Sequence, residues 1–302
     1  MAASLEFSVR GASAVSPGQL EACARLFSEN YGVWGKGAPQ KLLGSRVRLS
    51  ANKLMEQYLF DDSCCLATAT TLDGNIVGHA FATKFCYEDV CFSWITQLVV
   101  ASQFRNQGIA SKLCQLSWDV DAVAGCGIVT SHPHAIKALE KATRRRCKHG
   151  MMDCAHSLLQ ASCIPYLHNR NVSCGQSGGI CTVDTGFFVD HTDVDKLISI
   201  QSPRLGLKQL EAGHEFVAFT LKSWSAERAL TRTPHSSREA SPTISSSCSG
   251  DEHTRELAKI VSLFVVCILI SKGGGPLRST ATFRPQLWLV WGLYISYSIV
   301  WI

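Results

Sequence analysis

Nowhere among its 14 cysteines does this chain of 302 residues place a Cys-x-x-Cys pair, so the commonest zinc and redox spacings are missing. Nor do residues 1–15 supply an export signal, since they lack a basic opening followed by a continuous apolar run. The reducing cytosol is therefore the expected compartment, and disulfides are not expected in it. Most of the cysteines then read as small apolar core residues. Two Cys-x-His pairs, Cys147-Lys148-His149 and Cys154-Ala155-His156, could in principle hold zinc, but their spacing fits no common framework and no metal is expected. Charge of one sign is scarce as well. The net charge is +5, and eight Lys/Arg against five Asp/Glu beyond residue 223 leave only +2 for the rest, which does not support a nucleic-acid footprint. The run Arg144-Arg145-Arg146-Cys147-Lys148 reads instead as a cationic helix end that suits the macrodipole. No apolar run reaches the roughly twenty residues needed to cross a bilayer.

What is present is an alternation of strand and helix patterns. Residues 5–9 read as a strand, and Ser16-Pro17 opens a helix with Leu20, Cys23, Leu26 and Phe27 on one face. Ser50 caps a second helix that runs through Leu54, Tyr58 and Leu59. Between these helices lies Tyr31-Gly32-Val33-Trp34-Gly35, whose aromatics suit either a substrate contact or a lid on the core. Residues 66–71 and 76–85 flank Asp73-Gly74-Asn75, a hairpin signal. Residues 127–131 form a short buried strand, and Pro133 starts a helix through Ala135, Ala138, Leu139 and Ala142. Farther on, residues 151–162 look helical, 175–179 form a loop, and 181–189 and 214–222 look like strands, the last able to close a sheet at residue 222.

Beyond that point the composition changes. Residues 223–257 are rich in Ser, Thr, Pro and Arg with few large apolar side chains, the composition of a disordered linker. In the tail, 258–302, two apolar runs of 12 and 17 residues, the second carrying three Trp and two Tyr, admit three roles: a membrane attachment, a helix pair docking on a partner, or a stretch outside the functional protein.

The most informative segment is residues 98–113, LVVASQFRNQGIASKL. An apolar strand ends in a polar turn, and a glycine then opens an amphipathic helix. The first N–H groups of a helix have no intrahelical partner and carry the positive end of the dipole, so this order builds an anion site from main chain. Its core, Arg105-Asn106-Gln107-Gly108-Ile109-Ala110, resembles the pyrophosphate loop of the GNAT acetyltransferase superfamily, enzymes that use acetyl-CoA. The preceding strand resembles the family's as well, with Leu98, Val100, Phe104 and Arg105 in register and Ser102 in the place of a proline.

The resemblance implies an α/β fold with a mixed, largely antiparallel sheet flanked by helices over residues 1–222. It implies that main-chain groups of Leu98, Val99 and Val100 pair with pantetheine while Arg105 to Ala110 hold the pyrophosphate. It further implies transfer of the acetyl group to a primary amine by direct attack in a ternary complex, with Tyr31 and Trp34 on the acceptor side. Cys114 then reads as core rather than as a nucleophile. Two departures stand out: Leu139 occupies the position where the family's helix motif carries a proton-donating tyrosine, and Gln97 stands where the strand often has a carboxylate. Glu88 and His132 are the nearest titratable candidates for catalysis, and His132 equally suits a helix start. A CoA-binding module without catalysis and a membrane-tethered protein defined by its tail are the alternatives. The expected location is cytoplasmic, with membrane association through residues 258–302 left open.

Overall fold

The computed structural model describes residues 4–87, 90–118, 122–174 and 179–222, with the side chains of 201–204 left aside. The linker and tail expectations, 223–257 and 258–302, lie outside the described residues. Local chemistry accounts for the first elements. Leu5–Gly11 forms β1. Ser16 then caps Pro17–Asn30 (α1) in a reciprocal box, its Oγ accepting from the Gln19 N–H at 3.3 Å while Gln19 Oε1 accepts from the Ser16 N–H at 3.1 Å. Ser50 Oγ accepts from the Lys53 N–H at 3.2 Å and starts Ala51–Tyr58 (α2). Cys65–Thr71 (β2) and Ile76–Tyr87 (β3) meet at the predicted turn, where Gly74 takes φ +81°.

Val90–Val100 (β4) leads through a short turn into Ile109–Ser117 (α3), followed by Gly125–Thr130 (β5) and Pro133–Thr143 (α4). Met152–Ala161 (α5), Val172–Ser173 (β6), Cys181–Asp184 (β7), Thr192–Leu205 (α6) and His214–Leu221 (β8) complete the described chain. All eight strands share one sheet in the order β1-β2-β3-β4-β5-β8-β7-β6. Every pairing is antiparallel except β4 with β5. The α/β class with a mixed, largely antiparallel sheet is the one the sequence predicts.

Helices cover both faces. Ile109 and Leu113 of α3 press on Gly78 of β3, where an added Cβ would stand 3.1 Å from each. On the opposite face Phe81 packs with Leu20, Cys23 and Leu54 of α1 and α2. Farther along that face Phe92 and Trp94 of β4 pack with Cys154, Ala155, Leu158 and Leu159 of α5. The glycines of β5 permit this: an added Cβ at Gly127 would overlap the Trp94 ring, and one at Gly125 would come within 3.0 Å of Phe92. Leu139 and Cys114 are buried in the largest cluster, with burial pushing the Cys114 thiol far up, so neither can serve as acid or nucleophile.

Three expectations need correction. The strand over 181–189 stops at Asp184, because Asp184 Oδ1 accepts from the Gly186 N–H at 2.9 Å and Gly186 takes φ +67°. The chain then crosses to the segment after α1, where the Gly35 N–H donates to Phe188 O at 2.8 Å and the Asp190 N–H to Val33 O at 2.9 Å. Helix α6 follows without having been anticipated from the sequence. Finally, disulfides do form: Cys86 pairs with Cys91 across the β3–β4 hairpin, and Cys174 pairs with Cys181. The Cys147–His156 set does not assemble a metal site, since Cys147 and Cys154 are buried in different clusters and no group of three ligands gathers among the described residues.

Candidate functional site

The site starts where two strands part. β4 and β5 run in parallel from Phe92↔Gly125 to Ile95↔Ile128, and there the pairing ends although β4 continues to Val100 and β5 to Thr130. β3 stays paired with β4 out to Val100, but a bulge shifts the register from Ala82↔Ile95 to Phe81↔Gln97 and leaves Thr96 without a partner. Past the bulge, one edge of β4 therefore faces an opening wedge. The cleft that occupies it has a volume of about 450 Å³.

The turn after β4 is pinned from both sides. Arg105 donates through Nε to Val100 O at 3.1 Å and through a guanidinium nitrogen to Asn30 O at 2.8 Å, while Asn30 Oδ1 accepts from the Ser102 N–H at 3.0 Å. Asn106 and Gly108 then take φ values of +62° and +80°, left-handed conformations that turn the backbone sharply into α3. As a result the main-chain N–H groups of residues 106–111 have no acceptor among the described residues, and the first N–H to close a helical turn is that of Lys112, to Gly108 O at 3.1 Å. The amides predicted to receive an anion are unconsumed, and the turn lies on the cleft wall. The requirement for glycine at position 108 comes from φ and not from crowding, since an added Cβ would meet only Lys141 Nζ, at 3.8 Å.

That lysine is a residue the sequence reading passed over. Lys137 and Lys141, one turn apart on α4, both line the cleft, as does His134, and Lys141 Nζ lies beside Gly108. Together they place two cations on the wall that carries the array of donors, which suits a polyanion. The signal was present as i, i+4 spacing on a helix, but only the parting of β4 and β5 makes that face line a cleft.

Of the residues singled out from sequence, Leu98, Val99, Val100, Arg105, Asn106, Gly108, Ile109 and Ala110 line the cleft, and so do Tyr31 and His132. Gln107 does not; its Nε2 donates to Gln103 O at 3.2 Å. Trp34 is buried beneath the connection, its ring 5.2 Å from that of Phe187, and does not reach the cleft wall. Glu88 lies outside the described residues. His132 caps α4 through Nδ1, which accepts from the His134 N–H at 3.2 Å. Burial, with His134 and Arg105 nearby, lowers its pKa to about 4, so it is neutral at pH 7 with its acceptor nitrogen committed.

A second titratable group was missed altogether. Glu215 on β8 is buried at 8% exposure, next to Phe216, which pairs with Thr130 at the end of β5. Desolvation raises its pKa to about 7. Around it stand Tyr31, Tyr58 and Tyr166, whose phenols are pushed upward mainly by burial and partly by the Glu215 charge. The Tyr166 hydroxyl donates to Thr96 O, at the bulge, at 2.9 Å. A carboxylate inside a run such as His-Glu-Phe-Val-Ala-Phe carries no sequence signature, and on the ladder it stands opposite Val183 of β7.

The chain can be compared with known proteins on this basis. It is similar to an acetyltransferase of the GNAT family from Streptococcus pneumoniae at 12% identity, covering 72% of this chain and 100% of that one with a TM-score of 0.35. It is similar at 17% identity and a TM-score of 0.26 to an aminoglycoside acetyltransferase from an uncultured soil metagenomic sample, covering 36% of this chain and 64% of that one. A third similarity, at 16% identity and a TM-score of 0.26, is to a ribosomal-protein-alanine N-acetyltransferase from Brucella melitensis, covering 36% of this chain and 67% of that one. No curated protein matches the chain. The family model that matches, over residues 25–142, is that of the acetyltransferase (GNAT) family.

Proposed function

We propose that this domain moves an acetyl group from acetyl-CoA to a primary amine by direct attack in a ternary complex. The observation that carries the reading is the turn at residues 106–111, whose amides have no acceptor among the described residues and whose residues 106 and 108–111 line a cleft that Lys137 and Lys141 also line. A diphosphate needs such an array, and the family's donor has one. Asn106, Gly108, Ile109 and Ala110 would hold it through main chain, with Arg105 acting as the strut that fixes the turn rather than as a direct ligand. Leu98, Val99 and Val100 would receive the pantetheine arm along the edge of β4 that β5 has left.

When bound, acetyl-CoA supplies an activated thioester. The chain's own part is to align the two reactants, to exclude water from the wedge, and to accept a proton from the attacking amine. Neutral His132 is poorly suited to the last task, because its free nitrogen carries the proton when Nδ1 caps α4. Tyr31, on the cleft wall, is suited to the acceptor side. Thiol release from acetyl-CoA, followed across a panel of primary amines with the full chain, tests the reading. Release that depends on one of the amines is the expected result, and binding of acetyl-CoA without release under any of them would favour the module without catalysis.

A further inference from the structure

Beyond residue 142, where the family match ends, the chain adds a wall to the cleft. β7 stands beside β8 and β8 beside β5, so that Thr182, Phe216 and Thr130 form one row across the sheet. Just past that row β7 ends at Asp184, and the chain leaves the sheet on the β5 side of the parted strands. It lands on the segment after α1, through the bonds of Gly35 to Phe188 and of Asp190 to Val33. That segment belongs to the β4 side, because Asn30, which ends α1, holds Ser102 and Arg105 just past β4. Residues 185–190 therefore form a strap from one parted strand toward the other. Val189, Asp190 and, at the start of α6, Val194 line the cleft, with Val189 packed so closely on Gly32 that an added Cβ there would stand 2.9 Å from its Cγ1.

Among the described residues Asp190 is the only carboxylate on the cleft wall, whose other charged side chains are Arg105, Lys137 and Lys141. Its two oxygens are used differently. Oδ1 accepts from the Thr192 N–H at 2.9 Å and from the Thr192 hydroxyl at 2.6 Å, which fixes the side chain at the start of α6. Oδ2 has no hydrogen bond among the described residues, and no ion pair reaches Asp190, since Lys196 of α6 pairs with Asp193 at 3.0 Å. The Thr192 bonds stabilise the charged form of a group that is exposed to solvent, so it stays ionised at neutral pH. A fixed anion gains nothing from a polyanionic donor and suits a cation instead. The attacking nitrogen has to lose its charge before it reacts, so the cation that remains for Asp190 is one that keeps its charge throughout. Val189 and Val194, apolar on the same wall, suit a run of methylenes.

Resting on the acetyl-transfer reading above, we propose that Asp190 holds the second, non-reacting ammonium of a diamine acceptor, with Val189 and Val194 against the methylenes between its two nitrogens. Oδ2 makes the contact while Oδ1 keeps its place at the start of α6. Asp190 is in this way a specificity-determining residue and takes no proton. The reacting ammonium gives one proton to solvent and becomes a neutral amine. Its lone pair forms the C–N bond to the acetyl carbon as the C–S bond breaks, the thiolate leaves with that pair, and the second nitrogen proton passes to sulfur. A mono-acetylated diamine and a thiol are the products, and the ammonium on Asp190 is unchanged.

The test titrates the full chain, saturated with CoA, with putrescine and cadaverine and with their one-nitrogen counterparts n-butylamine and n-pentylamine. Calorimetry should show at least one diamine binding wild type about fivefold more tightly than its counterpart, a preference that shrinks at high salt because the carboxylate is exposed. Asp190→Asn keeps an oxygen for Thr192, so it should melt within a few degrees of wild type and lose the preference. Asp190→Ser, which also offers an oxygen to the Thr192 N–H, supplies the same reading if the asparagine variant does not fold. With acetyl-CoA the loss should appear as a raised KM for the diamine rather than as a lowered kcat. A residue that only starts α6 would keep the preference in both variants. The proposal is overturned if CoA binds and neither diamine binds better than its counterpart, or if the preference survives in the folded variants. If wild type binds no CoA, the acetyl-transfer reading itself has failed and this proposal falls with it.

Discussion

Gly108 shows what a single residue decides. At φ +80° an alanine costs about 1 kcal/mol in the left-handed region, while the residue keeps its amide and its place in the turn. Gly108→Ala should therefore melt slightly lower and bind acetyl-CoA several-fold more weakly, as calorimetry alongside a thermal melt would measure. His79 decides something different. It is fully buried, donates from Nε2 to Gln97 Oε1 at 2.8 Å, and has its pKa lowered by burial to about 4. A histidine kept neutral in the fold contributes stability that is present above its ordinary value of 6.5 and lost as pH falls through about 4. His132 adds to the same window. The melting temperature should drop between pH 6.5 and 4, each group contributing up to roughly 3 kcal/mol, and His79→Gln should flatten part of that slope. A slope identical to wild type would show that His79 is not held neutral. Glu215 works in the opposite direction: its raised pKa favours the fold below about 4.5, a gain lost as pH rises through about 7.

Among the elements, α4 joins the legible and the illegible parts of the site. Its start at Pro133 and its buried face through Ile136, Leu139 and Ala142 follow from sequence periodicity. That its other face should carry Lys137 and Lys141 toward the amide turn does not, because it depends on α3 and α4 lying side by side over a sheet whose strands have parted. Removing both charges with Lys137→Ala and Lys141→Ala should weaken acetyl-CoA about tenfold at low ionic strength and less at 0.5 M salt, since the ammonium groups are exposed to screening. A loss independent of salt would mean that the lysines act through packing. The turn itself was readable for the reason β4 was: a strand pattern broken by a polar turn and a glycine is a local signal. Helix α6 was not, because its start depends on Asp190, whose Oδ1 accepts from the Thr192 N–H at 2.9 Å, after a crossing over the segment that follows α1. The disulfides escaped notice for a related reason. Cys86 and Cys91 become partners only through the register Cys86↔Cys91 of the hairpin.

For the molecule as a whole, the proposed boundary at residue 222 has a physical basis. β8 is an inner strand between β5 and β7, so the sheet cannot close without it, and the Lys222 N–H donates to Ala124 O at 2.6 Å just past its end. Residues 1–222 expressed alone should therefore melt as one cooperative unit and bind acetyl-CoA as the full chain does. A truncated chain that is unfolded, or that folds without binding, would place an essential part of the domain beyond residue 222. Among the described residues no helix is long and apolar enough to cross a membrane, and the parted ends of β4 and β5 already account for the cleft. The most direct test of the account is a calorimetric titration of acetyl-CoA into the full-length protein and into its Gly108→Pro variant, whose ring fixes φ near −65° and cannot form the turn. The account predicts saturable binding by the wild type and none by the variant, at matched melting temperatures within a few degrees. Absent binding by the wild type, or equal binding by both, would contradict it.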